Sequence, residues 1–373
     1  MSATAPSVGL RVRIVGTGLI GTSLGLALSR KGFQVSLDDP SPAAAALARD
    51  LGAGALAADP GHEETTPDVI VVAAPPDVVA DVVAAELRKW PNAVVTDAAS
   101  VKGAVLKALR DREADLSRYV GSHPMAGREK SGAAAAQVDL FEGRSWVVAP
   151  GPRASTSAID LVCRVAEAAG SAVLVMTPDE HDAAVAAVSH VPQIAASLVA
   201  SRLRDLPSGA VALSGQGIRD VTRIAASDPS MWTQILAGNA PAVRAVLKSL
   251  AQELDEVLLA LRLLESDPGE GSRVARETLA RTVAGGNAGH ALIPGKHGAA
   301  PTTYATVVVV VPDEPGALGR LLHDVGEAGV NMEDLHLEHG IGQPFGLAQL
   351  SVLPAAVQPL VTALGYLGWP VHD

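Results

Sequence analysis

The chain has 373 residues, enough for two or three domains, and its 48% hydrophobic content argues against a disordered protein. A formal net charge of −11 on only 18% charged residues, with no basic stripe, argues against binding to a nucleic-acid backbone and leaves single arginines to meet any anionic ligand. Cys163 is the sole cysteine, which excludes an intrachain disulfide and a cysteine metal cluster, so no metal is expected and a reducing cytoplasm fits.

The N-terminal stretch MSATAPSVGLRVRIVG lacks the basic region and long apolar run of a signal peptide. No segment holds about 18 apolar residues without Gly, Pro or charge, so a cytoplasmic protein without a membrane span is expected. Strand-like runs occur at Leu10–Val15, Phe33–Asp38, Asp68–Ala73, Ala93–Asp97, Tyr119–Gly121 and Ser145–Val148, with helical stretches such as Leu19–Lys31 and Asp77–Lys89 between them. This βαβ rhythm predicts an α/β, doubly wound parallel sheet, closed by a helix at Thr156–Ala169 and a strand at Ala172–Val175. Cys163, in LVCRVAEAAG, falls on the apolar face of that helix and reads as a packed thiol.

From Pro178 the strand signals stop and Ala/Leu/Val-rich stretches take over: Asp179–Leu206, Ser208–Ala226 and Ala240–Leu264. The last follows Asn239, read as a helix cap, with Pro241 in the first turn. Helices apolar on more than one face need a further surface to bury, and a homodimer interface is the simplest. Residues 285–303 are rich in Gly, Ala and Pro and read as a linker. After it, β, helix, β, β, helix follow one another, which predicts a small α+β module. The plan is therefore a dinucleotide-binding domain over 8–177, a helical domain over 178–284, the linker, and a module over 304–373.

Gly16-Thr17-Gly18-Leu19-Ile20-Gly21 follows the first strand and opens the first helix. Gly16 permits the tight turn, Gly18 lets the backbone approach a pyrophosphate, and Gly21 allows close packing; the N–H groups from Leu19 and Ile20 onward then face the phosphates. Asp38 ends the second strand and is placed to accept the ribose hydroxyls of NAD, with Asp39 as a substitute. No Arg follows to receive a 2′-phosphate, so NAD is expected rather than NADP. Ala73-Ala74-Pro75-Pro76 is a small-residue loop in which Ala74 and Pro75 can flank a nicotinamide ribose.

Thr96-Asp97-Ala98-Ala99-Ser100-Val101-Lys102 and Ser122-His123-Pro124-Met125-Ala126-Gly127-Arg128-Glu129 both follow strands, on the side where doubly wound folds hold ligands. His123 is a surface loop histidine or a proton acceptor with a pKa near neutrality. The strings GLIGTSLGLAL, SVKG and HPMAGREKSG occur in one order with Glu180-His181-Asp182, Ser189-His190-Val191-Pro192, Arg219-Asp220-Val221-Thr222-Arg223-Ile224-Ala225 and Met231-Trp232. Together, over about residues 10–290, they resemble the prephenate/arogenate dehydrogenase family of tyrosine biosynthesis.

The resemblance implies a Rossmann-type nucleotide-binding domain, a helical dimerisation domain, and an NAD-dependent oxidative decarboxylation of prephenate. His123 would accept a hydrogen bond from the substrate 4-hydroxyl, and Ser100 would help orient it. Arg223 is the candidate for a substrate carboxylate, which a guanidinium grips bidentately. Asp220 and Glu129 resemble acidic partners that position that arginine, although Asp220 and Arg223 at i,i+3 could equally form a plain helix salt bridge. Ser189 belongs to the substrate string. Trp232 resembles a residue reaching a neighbouring subunit's site, with core packing as the alternative, and His181 reads as structural or interfacial. Gln193 stands where some members carry a second histidine. A neutral amide suits a keto or carboxylate oxygen, and the absence of an acidic residue favours prephenate over arogenate, whose ammonium would attract one.

Val307–Val311, then Asp313-Glu314-Pro315-Gly316-Ala317-Leu318, then Gly329-Val330-Asn331 resemble the ACT domain, a ferredoxin-like small-molecule sensor. A tyrosine effector held by Asp313, Gly316, Ala317, Leu318 and Asn331 is expected; a purely dimerising module is the alternative. Two rival readings remain: another dehydrogenase of β-hydroxyacid type, and a catalytically inactive regulatory protein that binds NAD and an amino acid.

Overall fold

The computed structural model describes residues 9–56, 59, 65–127, 132–266, 269–293, 304–339 and 344–372. The chain divides into two compact units, residues 1–252 and 253–373.

The first unit begins with β1 (Arg11–Val15), α1 (Leu19–Arg30), β2 (Gln34–Asp38), α2 (Pro42–Asp50), β3 (Ala55–Leu56), β4 (Val69–Val72), α3 (Val79–Lys89), β5 (Val94–Asp97), α4 (Gly103–Asp111) and β6 (Tyr119–Pro124). It continues through β7 (Ser145–Pro150), α5 (Thr156–Ala168) and β8 (Ala172–Val175). The eight strands form one sheet in the order β3-β2-β1-β4-β5-β6-β7-β8. Strand order reverses between β1 and β4, so the crevice beyond their carboxyl ends is the ligand position of this architecture. Apolar strands are covered on both faces. Val12 and Ile14 of β1 pack with α1 and α5, whereas Val15, Ile70 and Val72 pack with α3 and α4.

The expected all-parallel sheet holds through β6. β7 then runs antiparallel to β6, and β8 pairs parallel to β7. A parallel return needs a crossover element of a dozen residues or so, usually a helix. Between β6 and β7 the described residues contain a short 3-10 turn at Ala133–Ala135 and no helix to carry a parallel crossover.

Next come α6 (Pro178–Val185), a π turn at Ala186–His190, α7 (Val191–Arg202), α8 (Ser208–Val211), α9 (Gln216–Thr222), a 3-10 turn at Arg223–Ala225, and α10 (Pro229–Gly238). The capping box at the start of α6 pairs Thr177 with Glu180: Thr177 Oγ1 accepts from the Glu180 N–H, and Glu180 Oε2 accepts from the Thr177 N–H. The single helix expected over 179–206 is thus interrupted. Pro192 lacks the N–H that would continue the ladder, and the Val191 N–H instead reaches the Ala186 carbonyl across a π turn. Likewise the expected helix over 208–226 breaks into α8, α9 and the 3-10 turn. The stretch Pro178–Asp205 is long and apolar enough to cross a membrane by length and composition alone, and a third of its most apolar part is buried in the fold.

α11 (Ala240–Ser266) contains the boundary between the two units. In the second unit α12 (Glu270–His290) continues past Gly285, so the expected linker begins inside a helix; the remaining linker residues, 294–303, lie outside the described ones. The module consists of β9 (Ala305–Pro312), α13 (Ala317–Glu327), β10 (Met332–His339), β11 (Phe345–Val352), α14 (Val357–Tyr366) and β12 (Val371–His372). Its sheet order β10-β11-β9-β12 is that of a ferredoxin-like βαββαβ unit. The alternating valines of β9 (Val307, Val309, Val311) form its core with Leu321, Val325, Leu350, Leu360 and Leu364.

Candidate active site

The glycine loop lies at the crevice between β1 and β4. Gly16 has φ +102°, and a Cβ there would strike the Ala73 carbonyl; one on Gly21 would strike the Gly16 carbonyl oxygen. Gly18 differs, because nothing lies within 4 Å of where its Cβ would stand. Protein packing therefore does not require that glycine, whereas a close ligand does. The N-terminus of α1 has no side-chain cap and no acidic residue in its first turn, so its N–H groups and dipole suit a pyrophosphate. These features fit a dinucleotide. Leu19 and Ile20 occupy that first turn, half-buried, and Ala74 and Pro75 follow β4 directly across the crevice.

The two candidate ribose carboxylates part company. Asp38 pairs with Arg13 at 2.7 Å, and the same buried guanidinium reaches Glu86 on α3 at 3.1 Å. Asp39 sits instead at the glycine loop, accepting from the Thr17 N–H (2.7 Å) and hydroxyl (3.0 Å) through one oxygen and from the Ser41 N–H (2.8 Å) through the other. The carboxylate expected to substitute for Asp38 is thus the one beside the loop.

Beyond β5 and β6 a buried polar cluster secures the backbone. Lys102 is 1% exposed; its ammonium bonds to Asp97 and to the Ser122 carbonyl, the latter at 2.7 Å. Asp97 also accepts from the Tyr119 hydroxyl (2.7 Å) and the Ala99 N–H (2.9 Å). Desolvation lowers the Lys102 pKa despite Asp97, and burial pushes Tyr119 upward, reinforced by Asp97. The cluster ties the loop carrying half-buried Ser100 to the strand end carrying His123.

His123 is itself buried, at 9% exposure. Its Nδ1 lies 2.9 Å from His181 Nε2, and His181 Nδ1 lies 2.8 Å from Asp182 Oδ1. Asp182 also accepts from the backbone N–H groups of Lys102 (2.9 Å) and Gly103 (2.8 Å), capping α4 from another helix. Burial drives the His123 pKa well below 6.5, helped by the electrostatic influence of His181, Lys102 and His190. The imidazole is therefore neutral at ordinary pH and can accept a hydrogen bond. His181, expected to be structural or interfacial, touches the candidate catalytic group directly.

Asn239, expected as a helix cap, is buried and bonds across the fold. Its Nδ2 donates to the Asp182 carbonyl (2.7 Å) and lies 3.2 Å from His190 Nδ1. Nothing in the sequence pattern signals either contact. Ser189 lies in the π turn beside His190. Gln193, on α7, is 3.5 Å from both the Ser197 and Ser227 hydroxyls, and Ser227 also bonds the Ile224 carbonyl in the turn that carries Arg223. Gln193 and the Arg223 segment are thereby neighbours. Asp220 accepts from Gln216 (2.7 Å), and Glu129 lies outside the described residues. Trp232 packs edge-on to His190, with ring centres 6.1 Å apart, and against the α3–α4 core, in keeping with the core-packing alternative.

In the C-terminal module Gly316 takes φ +86° at the start of α13, as a tight strand–helix turn requires. Ala317 is buried, Leu318 is half-buried, and Asp313 is exposed. Asn331 is not beside them. The register sets Pro312 against Phe345 and Met332 against Val352, so Asp313–Leu318 and Asn331 lie at opposite ends of an eight-residue sheet, about 23 Å apart at the usual strand rise. One small ligand in one copy of the module cannot touch both.

Residues 24–188 match the family model for the prephenate dehydrogenase nucleotide-binding domain, and residues 177–273 match that for the prephenate dehydrogenase dimerisation domain. A probable prephenate dehydrogenase, NovF, from Streptomyces niveus is 36% identical over 96% of this chain and 99% of its own length. The prephenate dehydrogenase of Bacillus subtilis is 31% identical over 66% of this chain and 68% of its own. Among solved structures, A. aeolicus prephenate dehydrogenase in complex with hydroxyphenyl propionate and NAD+ is 29% identical, with a TM-score of 0.62 over 74% of this chain and 98% of that one. The full-length match, carried by a nucleotide-binding sheet and a helical domain of the kind seen here, establishes that the chain belongs to the prephenate dehydrogenase family.

Proposed function

We propose that the chain oxidatively decarboxylates prephenate to 4-hydroxyphenylpyruvate in tyrosine biosynthesis, with NAD as hydride acceptor. The observation that carries this reading is a neutral, buried His123 backed by His181 at the carboxyl edge of the same sheet as the open Gly18 turn. Bound NAD supplies the acceptor for the hydride leaving C4. The C1–carboxylate bond breaks, its electron pair enters the ring, carbon dioxide departs, and the product phenol keeps the hydroxyl hydrogen.

His123 accepts the hydrogen bond from the 4-hydroxyl, which raises electron density on oxygen as C4 loses hydride. Ser100 orients the same group. Arg223 receives a carboxylate, positioned by Asp220 and Glu129 as the family resemblance implies, while Ser189, Gln193 and Trp232 line the substrate side. Gly16, Gly18 and Gly21 hold the pyrophosphate turn, and Asp39, rather than Asp38, accepts the ribose hydroxyls. Gln193 has hydroxyl partners and no charge, which suits the keto acid better than the ammonium of arogenate.

Functionally, residues 8–177 bind the cofactor, residues 178–284 complete the substrate site and dimerise, and the module from 304 is an ACT sensor. Exposed Leu198, Leu213, Leu254, Leu258, Leu259 and Val283 provide apolar surface for a homodimer. A tyrosine effector contacts Asp313–Leu318 of one module, and Asn331 can join it only from a second copy. The enzyme works in the cytoplasm.

Initial rates of NADH formation with prephenate and with arogenate test the reading. Faster turnover of prephenate is expected; turnover of neither refutes the activity, and preference for arogenate refutes the substrate choice. A rise in melting temperature with tyrosine is expected, and no shift with any aromatic amino acid removes the sensor role.

A further inference from the structure

We infer that Asp182 and His181 are positioning residues that set which nitrogen of His123 carries the proton. This inference rests on His123 being the acceptor proposed above. It begins from the acceptor-only chemistry of a carboxylate. Asp182 receives three donors: the N–H groups of Lys102 and Gly103 and the Nδ1 of His181, at 2.8–2.9 Å. Burial opposes its charge, but the hydrogen bonds from His181, Lys102 and Gly103 outweigh burial and hold the carboxyl below its ordinary pKa.

An ionised carboxylate cannot donate, so His181 Nδ1 must carry hydrogen. A neutral imidazole has one N–H, which leaves His181 Nε2 as an acceptor. That lone pair faces His123 Nδ1 at 2.9 Å, so His123 Nδ1 must donate and His123 Nε2 is the bare nitrogen. One carboxylate thus selects one tautomer in each of two rings in series. The logic resembles a hydrolase triad, with two imidazoles where the triad has one.

The relay is anchored at both ends. Asp182 is fixed by the start of α4 and, through its carbonyl, by Asn239 Nδ2. His181 is fully buried, so water cannot replace either partner. The groups facing the pair are Lys102 from the start of α4, Asp182 on α6 and His190 from the π turn. The charge of Lys102 disfavours a proton on His123, whereas Asp182 draws hydrogen to the far side of His181.

Asp182→Asn reverses the direction. With its amide in the Oδ1 place it donates to His181 Nδ1 and keeps the Gly103 N–H on its carbonyl oxygen, while the Lys102 N–H, which shares Oδ1 with His181, loses its acceptor. His181 Nε2 then donates to His123 Nδ1, and His123 Nε2 becomes a donor unable to accept the substrate hydroxyl. We expect kcat to fall roughly 10²- to 10⁴-fold with KM for prephenate and Kd for NAD changed less than about threefold.

The second measurement needs no variant. Nitrogen-15 NMR of imidazole-labelled wild-type enzyme, with His123 assigned by loss of its signals in His123→Asn, should show Nε2 unprotonated and Nδ1 protonated, and the reverse in Asp182→Asn. A wild-type His123 protonated on Nε2 overturns the relay even if prephenate turns over. The expected tautomer in an enzyme that turns over neither substrate upholds the relay and refutes the activity. If Asp182→Asn unfolds, the wild-type spectrum alone decides.

Discussion

Replacing Lys102 by Met should cost more stability than its place in a loop suggests. The ammonium is 1% exposed, and its partner Asp97 is fully buried. Met keeps most of the apolar stem, so the volume change is small and the loss is electrostatic. Asp97 retains the Tyr119 hydroxyl and the Ala99 N–H but loses its counter-charge, and the Ser122 carbonyl loses its ammonium donor. Removing one partner of a buried pair costs about 3–5 kcal/mol. Adding Asp97→Asn removes the stranded charge, and the double variant should regain about 2 kcal/mol relative to additivity. Urea unfolding of the four proteins, followed by tryptophan fluorescence, measures this cycle. Because Lys102 also holds the strand end before His123, kcat should fall along with stability. A Lys102→Met variant destabilised by less than about 1 kcal/mol, or a cycle with no coupling, would refute the reasoning.

Two shorter predictions concern the cofactor and the acid limb. Gly21→Ala places a methyl into the Gly16 carbonyl, so NAD affinity by fluorescence titration should weaken by roughly 100-fold, about 2.7 kcal/mol; unchanged affinity would mean the loop does not hold the cofactor. The folded His123 pKa is depressed below 6.5, first by burial and then by neighbouring charge. Its contribution to stability is therefore fully present above pH 6.5 and is lost as pH falls from 6.5 toward the folded value. The acid limb of kcat/KM for prephenate should accordingly lie below 6.5, and a limb above that value would contradict a buried, neutral His123.

Much of the architecture was legible because it is written in local patterns. The glycine loop follows an apolar strand, the helical run from Asp179 opens as α6, and the valine run Val307–Val311 forms β9. Breaks were less legible. The π turn ahead of Pro192 and the splitting of 208–226 into α8 and α9 interrupt runs whose composition is uniformly helical. Gly285, Gly286 and Gly289 read as linker residues but lie within α12, since propensity is a weak prior that context overrides.

The sequence by itself determined the strand–loop–helix unit for a dinucleotide, the strand end that bears His123, and the family to which these strings belong. The first two are short-range signals, confined to a turn or two of chain, and the third rests on several such strings occurring in one order. Only the tertiary structure decided that Asp39 rather than Asp38 faces the glycine loop, that Asp182 caps a helix it does not belong to, and that Asn331 lies a full strand away from Gly316. It also decided that His181, 58 residues from His123 in sequence, stands 2.9 Å from it. Such contacts depend on where α6 crosses the carboxyl edge of the sheet, and periodicity or spacing along the chain carries no record of that crossing.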